Sequence, residues 1–163
     1  MRIGIGYDIH PYGDPGSLML GGVRIPHTNR LAGHSDADVL LHAIADALLG
    51  AIGAPDLGEL FPSSDARHRN KGSRAFVEEA VKRVSKAGFR VVNLDTIIIA
   101  DAPPKISPQK AKMRAEIGRL LHVPAALVSV KAKTTEGFPP AAGGIAAHAV
   151  VLLEPLPTKR AAK

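Results

Sequence analysis

Residues 2–10, RIGIGYDIH, decide the fold. Ile3, Ile5, Tyr7 and Ile9 point one way along this stretch, and Gly4, Gly6, Asp8 and His10 point the other. Alternation with a period of two is a β-strand, here with one apolar face and one bare, polar face. The next strong signal is helical. From Asp36 to Leu49 the apolar residues Val39, Leu40, Ala43 and Ala47 follow helical spacing, with Ser35 or Asp36 as N-cap and Gly50 or Gly53 as stop. Between strand and helix, Leu18–Pro26 sets Gly21-Gly22 between two short apolar runs, which predicts a hairpin.

Further along, residues 54–72 read as a loop, punctuated by Pro55, Gly58, Pro62, Ser63, Ser64 and Gly72. Ser73 is expected to cap a second helix through Ala87, with Phe76, Ala80 and Val84 on one stripe and Gly88 at its end. Arg90–Ala100 is rich in β-branched residues and predicts a buried strand. Pro108 opens a third helix running to Leu121. Val128–Thr134 and Ile145–Leu153 are strands, joined by the loop Glu136–Gly144. Strands, two helices, a strand, a helix and two strands predict an α/β fold: an α+β sandwich, with helices over a mixed sheet.

The chain has 163 residues, of which 45% are apolar. That predicts a single domain over residues 1–156 able to bury its own core, followed by a loose basic tail at 157–163. The absence of Cys excludes a disulfide scaffold, a Cys-ligated zinc site, an iron–sulfur cluster and a cysteine nucleophile, and fits a reducing, cytoplasmic compartment. No apolar run approaches a membrane span, and MRIGIGYDIH lacks the basic and apolar regions of a signal peptide. The net charge of +6 suits an anionic partner, either nucleic acid or a phosphorylated small molecule. Aromatics at 4%, and basic residues Lys159, Arg160 and Lys163 in the tail, weigh against nucleic acid. On composition alone, a basic surface with no specific partner is the simplest reading.

Chemistry begins with Asp8 and His10, two apart on a strand and so on one face, with Gly4 and Gly6 leaving space beside them. A carboxylate and an imidazole so placed can share a divalent cation, although D-x-H alone is a weak signal. His42 lies inside the amphipathic helix, with Asp38 and Asp46 four residues to either side. Either carboxylate could take the second ring N–H of a ligating His42; the plainer alternative is a surface histidine in two i,i+4 pairs. Asp8, His10 and His42 together would make three ligands with one position open, the pattern of a catalytic zinc.

His34-Ser35 precedes the helix, where exposed N–H groups and an imidazole make a phosphate site, or where Ser35 simply caps. Lys131, Lys133, Thr134, Thr135 and Glu136 end a strand and enter a loop. Hydroxyls and a lysine there can hold phosphate oxygens, and Glu136 can hold magnesium between phosphates; polar strand-edge residues are the default alternative. Asp101–Ser107 also follows a strand, with Lys105 either an anion contact or a solvated lysine. There is no phosphate-binding G-x-x-x-x-G-K-[ST] loop and no G-x-S-x-G elbow, so an enzyme built on this chain takes its nucleophile from the substrate or from metal-bound water.

Five stretches together resemble one family: RIGIGYDIH (2–10), LGGVRIP (20–26), AGHSDADVLLHAIADALLGAIG (32–53), DLGELFPSSD (56–65) and KTTEGF (133–138). They stand in the order found in 2-C-methyl-D-erythritol 2,4-cyclodiphosphate synthases and span nearly the whole chain. The resemblance implies a homotrimer with sheets packed around a threefold axis and active sites between subunits. It implies cyclisation of 4-diphosphocytidyl-2-C-methyl-D-erythritol 2-phosphate with release of CMP, a step of non-mevalonate isoprenoid synthesis. By position it makes Asp8, His10 and His42 the Zn2+ ligands and Glu136 the ligand of a Mg2+ or Mn2+ ion bridging the diphosphate. His34 and Thr134 match residues that stabilise the transition state, and Asp8, His10 and His34 also border the substrate. Ser35, Asp56, Leu57, Gly58, Phe61, Pro62, Ser63, Ser64 and Asp65 match the wall around the methylerythritol. Ala100, Asp101, Ala102, Pro103, Pro104, Lys105 and Ile106, with Ala132, Lys133, Thr134, Thr135, Glu136 and Phe138, match the cytidine and diphosphate pocket.

Several positions depart from the family pattern. FPSSD stands for the usual FPDTD, so Ser63 brings no carboxylate. APPKIS carries one extra residue beside Lys105, and Lys133 replaces a threonine. The loop after Glu136 is short and lacks an arginine that in some members faces a central cavity. Three other functions are compatible with the residues: an inactive trimeric binding scaffold, a metal-dependent phosphohydrolase using the open position for water, and a basic nucleic-acid binder.

Overall fold

The computed structural model describes residues 1–33, 36–62, 71–101, 103–137 and 143–157. His34, Ser35, Ser63, Ser64, Asp65, Ala102, Phe138 and most of the basic tail lie outside the described residues. In chain order the elements are β1 (Arg2–Pro15), β2 (Leu18–Leu20), β3 (Val23–Ile25), β4 (Asn29–Leu31), α1 (Val39–Ala51), α2 (Leu57–Leu60), α3 (Ser73–Lys86), β5 (Phe89–Ile99), α4 (Lys110–Leu121), β6 (Val128–Lys133) and β7 (Gly144–Pro155). Five strands form one sheet in the order β4-β1-β7-β5-β6, with β5 and β6 parallel and the other pairs antiparallel. β2 and β3 make the separate hairpin expected around Gly21-Gly22. The result is the mixed sheet with helices over one face that the order of signals predicts.

The glycines of β1 set the spacing between sheet and helix. A Cβ at Gly4 would lie 1.9 Å from the carbonyl oxygen of Ala47, and one at Gly6 would lie 2.0 Å from that of Ala43. Helix α1 therefore rests its backbone directly on β1, with Ala43, Ala47 and Ala51 on the seam. The bare face of the strand is thus the buried one. Ile3, Ile5, Tyr7 and Ile9 are left 71%, 70%, 50% and 45% exposed on the far side of the sheet, beside Val150 of β7. Alternation identifies the strand, but which face is covered is decided by how close a helix can come, and only the side lacking Cβ atoms admits it.

Aliphatic residues fill the space between the layers, as the scarcity of aromatics requires: Leu40, Leu41, Ile44, Leu48, Leu94, Ile98 and Met113 are all fully buried. Local corrections follow from side-chain competition at helix ends. α1 starts at Val39 and is capped by Asp38, whose carboxylate accepts from Leu41 N at 3.1 Å; neither Ser35 nor Asp36 is the cap. Asp38 also accepts from Gly21 N (2.9 Å) and Gly22 N (2.7 Å), so one buried carboxylate ties the hairpin turn to the helix start. Burial pushes this carboxyl up, against the lowering pull of the backbone N–H donors. Gly72, not Ser73, holds the N-cap position of α3, and Ser73 is its first helical residue. The expected loop at 54–72 contains the short helix α2, capped by Asp56. Ala37, between Asp36 and Asp38, has φ +48°, a left-handed corner that sends the two carboxylates to different partners.

Candidate metal and substrate site

Asp8 and His10 leave β1 on the helix side of the sheet, and His42 descends to them from the second turn of α1. Asp8 Oδ2 lies 3.0 Å from His10 Nε2 and 3.0 Å from His42 Nδ1, and the two ring nitrogens are 3.2 Å apart. All three donors point at one spot. A tetrahedral ion bound at about 2.0–2.1 Å has ligand–ligand edges of about 3.3 Å, so this triangle is close to one face of such a polyhedron. One carboxylate and two imidazoles are a donor set suited to a divalent transition-metal ion, with the fourth face open. Among the described residues this is the group of His, Asp and Glu side chains close enough to hold an ion. Glu136 is not part of it.

Electrostatics at the triangle follows from the same contacts. Burial would raise the Asp8 carboxyl, but hydrogen bonds from His10 and His42 outweigh it and hold Asp8 well below the usual carboxylate range. The hydrogen bond to Asp8 in turn raises His10, against the opposing effect of burial. The Ala32 backbone contributes in the same direction as Asp8. Gly33 makes room for this arrangement, since a Cβ there would stand 3.1 Å from the His10 ring.

The outer nitrogen of His42 goes to neither carboxylate expected from the helical spacing. Asp38 is occupied by the hairpin turn and the helix cap, and Asp46 accepts from Leu57 N at 2.8 Å. Both sit four residues from His42, yet each is taken by backbone N–H groups. His42 Nε2 instead meets Ser73 Oγ at 2.9 Å, and Ser73 Oγ lies 2.5 Å from Asp36 Oδ1. Ser73 and Asp36 are the functional candidates that sequence spacing misses. Ser73 is 31 positions from His42 and bears no periodic relation to it, and its place at a helix start reads as capping. Phe76, one turn further along α3, lies 5.9 Å from the His42 ring and packs in turn on Phe61.

Asp46 takes a different role: through Leu57 N it fixes the turn Asp56-Leu57-Gly58 that leads towards Phe61 and Pro62. A second polar group sits at the C-terminal ends of the parallel pair β5 and β6. Asp101 accepts from Thr135 N (2.9 Å) and from its hydroxyl (2.7 and 2.9 Å), and Ala100 N donates to the Lys133 carbonyl (2.9 Å). The Thr135 N–H and hydroxyl hold the Asp101 carboxyl below its ordinary value. Thr134 Oγ1 donates to Glu136, whose backbone is left-handed at φ +54°. Lys105 is exposed beyond the cis Pro103-Pro104 bond, while Pro104 and Ile106 turn inward. Lys131 points elsewhere, pairing with Asp95 at 2.6 Å on the open face of the sheet.

The two groups are separated within one chain. Asp8 pairs with Ala147, Ala147 with Ile98, and Ile98 with Ala132, so Asp101, after β5, lies two strands from β1, and Thr135, after β6, lies three. At about 4.8 Å for each strand, the sideways separation is about 10–14 Å.

Comparisons with known proteins agree on one identity. The YgbB family model matches residues 1–154. A protein of Syntrophobacter fumaroxidans (strain DSM 10017 / MPOB) named 2-C-methyl-D-erythritol 2,4-cyclodiphosphate synthase is 48% identical over 155 residues, covering 94% of this chain and 97% of the relative. A solved structure of a 2C-methyl-D-erythritol-2,4-cyclodiphosphate synthase superposes with a TM-score of 0.87 at 37% identity, covering 94% of this chain and 100% of that one. The CDP complex of the Plasmodium falciparum protein IspF superposes with a TM-score of 0.83 at 34% identity, over 96% and 97% of the two chains.

Proposed function

This chain belongs to the YgbB family, and on that premise we propose how its residues carry the family's reaction. The protein is a 2-C-methyl-D-erythritol 2,4-cyclodiphosphate synthase, a lyase of non-mevalonate isoprenoid synthesis. It cyclises 4-diphosphocytidyl-2-C-methyl-D-erythritol 2-phosphate: a 2-phosphate oxygen forms a bond to the β-phosphorus, the bond from that phosphorus to the CMP oxygen breaks, and CMP leaves. The observation that carries the site assignment is the convergence of Asp8 Oδ2, His10 Nε2 and His42 Nδ1.

A 2-phosphate with a second pKa of about 6 is largely dianionic at neutral pH, so it attacks without a strong general base. That accounts for a chain with no nucleophile of its own. The obstacle is one anion approaching another, and the protein's task is positioning and charge. Zn2+ on Asp8, His10 and His42, with Mg2+ or Mn2+ on Glu136, would supply the positive charge that offsets this repulsion. His34 and Thr134 donate to the phosphate oxygens on which charge builds. Ser35, the Asp56-Leu57-Gly58 turn and the 61–65 segment orient the methylerythritol, and the β5 and β6 ends take the cytidine diphosphate.

The metal group on β1 and α1 and the Asp101–Thr135 group after β5 and β6 lie on different strands, and we assign the two halves of one site to neighbouring copies. The open apolar face carrying Ile3, Ile5, Tyr7, Ile9 and Val150 supports a homotrimer closed around this surface. No helix of the described residues is long and apolar enough to cross a membrane, and the cytoplasm is the compartment we assign.

Phosphorus NMR on the cytidyl substrate, with chelator-stripped and metal-restored protein, tests the function. Cyclic diphosphate and CMP in equal amounts are expected after metal is restored. A linear phosphorylated product would identify a hydrolase, and no CMP release would identify a scaffold that has lost activity.

A further inference from the structure

We infer that Ser73 and Asp36 form a positioning pair that fixes the ring tautomer and orientation of His42, and through them the affinity of the metal centre; the inference rests on the metal-site reading above. The geometry constrains where each proton can be. Asp36, as a carboxylate, has acceptors only, and its Oδ1 stands 3.0 Å from Ser73 N and 2.5 Å from Ser73 Oγ. The Ser73 hydroxyl proton is therefore committed to Asp36. Its oxygen is left to accept, and the group 2.9 Å away is His42 Nε2. A proton on His42 Nε2 satisfies that oxygen, and with an ion in place of the Nδ1 contact to Asp8 this is the tautomer that presents the Nδ1 lone pair to the metal.

The pair is built into the fold. Ser73 is fully buried at the first turn of α3, and both its backbone N–H and its hydroxyl go to Asp36. The left-handed corner at Ala37 turns Asp36 towards Ser73 while Asp38 serves the opposite side.

The test compares wild type, Ser73→Ala, Ser73→Thr and Asp36→Asn, using zinc alone as probe in chelator competition. Ser73→Ala should weaken zinc binding by roughly 10–100-fold. Ser73→Thr, which keeps the hydroxyl, should restore it, and Asp36→Asn should weaken it by a smaller factor. In the zinc-loaded protein the His42 Nε2 proton, followed by nitrogen-15 NMR, should exchange slowly in wild type and rapidly in Ser73→Ala. A purely structural role would shift the urea midpoint without this change. If Ser73→Ala does not fold, Ser73→Thr and Asp36→Asn decide on the same two readouts. Zinc affinities within twofold of one another and an unchanged Nε2 proton would overturn the pair. A wild type that takes up no zinc would overturn the metal centre itself.

Discussion

Asp46 Oδ1 accepts the backbone N–H of Leu57 at 2.8 Å, joining the middle of α1 to the turn that starts α2. His42 stands one helical turn before Asp46, so the candidate metal group and the turn proposed to border the substrate are tied to the same helix. Burial raises the Asp46 carboxyl while the Leu57 N–H lowers it, so the hydrogen bond offsets part of the cost of keeping that carboxylate half-buried.

Asp46→Ala should therefore loosen the Asp56-Leu57-Gly58 turn without touching the ion. The expected outcome is a KM for the cytidyl substrate raised roughly tenfold, equivalent to about 1.4 kcal/mol, with zinc affinity unchanged. Steady-state kinetics beside a chelator titration would check it. Loss of zinc would place Asp46 on the metal instead.

Gly6→Ala puts a methyl 2.0 Å from the Ala43 carbonyl oxygen, a backbone atom that cannot swing away. Helix α1 must lift off β1, and the triangle of Asp8, His10 and His42 opens with it. Destabilisation of at least about 3 kcal/mol is expected, since overpacking here displaces backbone rather than a rotamer. Urea unfolding measures it; a midpoint equal to wild type would mean that the strand and helix are not in contact.

Gly4 and Gly6 also mark how far the fold could be read from the sequence. The long strands and helices were legible, because period-two and helical patterns are local, whereas the short β4 and α2 carry too few residues to show a pattern. Which face of β1 is covered was not, because it depends on a helix 40 residues away with alanines on its seam. The metal triad was legible because two of its members share a strand face and the third sits among carboxylates. The partner of His42 was not: Asp38 and Asp46 had the right spacing, but each had a nearer backbone N–H to satisfy, and Ser73 arrives only through tertiary packing.

The metal-free protein should lose stability as pH rises above about 6.5, the unfolded histidine value. His10 is raised from 6.5 by its hydrogen bond to Asp8, so folding takes up a proton between the unfolded value and the folded one. That contribution is fully present below about 6.5 and disappears as pH climbs through the folded value. Zinc reverses the trend, because its ligands bind in their deprotonated forms and its stabilisation grows with pH. Urea midpoints of stripped and zinc-loaded protein between pH 5.5 and 8.5 (roughly the range in which histidine titrates) should diverge; parallel curves would count against the ion sharing His10.

Glu136 is bonded to Thr134 at the end of β6 and stands outside the Asp8–His10–His42 group. Glu136→Gln keeps the size and an acceptor oxygen but removes the charge that attracts a second divalent ion. The magnesium concentration for half-maximal rate should rise about tenfold, with zinc content unchanged. An unaltered magnesium titration would remove Glu136 from the ion.

Metal binding and assembly should separate by mutation, because they occupy opposite faces of β1. His42→Ala removes one ligand on the helix side. It should abolish tight zinc binding and nearly all CMP release, while sedimentation still shows a trimer, since no residue of the open sheet face has changed. Ile5→Glu acts on the other side, placing a carboxylate on a residue that is 70% exposed in the single chain and pairs with Val150. An unpaired charge buried between copies costs several kcal/mol, so this variant should sediment as a monomer and still bind zinc. It should nonetheless turn over little substrate, because in the proposed trimer the Asp101–Thr135 group that takes the nucleotide comes from a neighbouring copy, and the monomer has no neighbour. A monomeric Ile5→Glu protein with full activity would show that one chain holds a complete site.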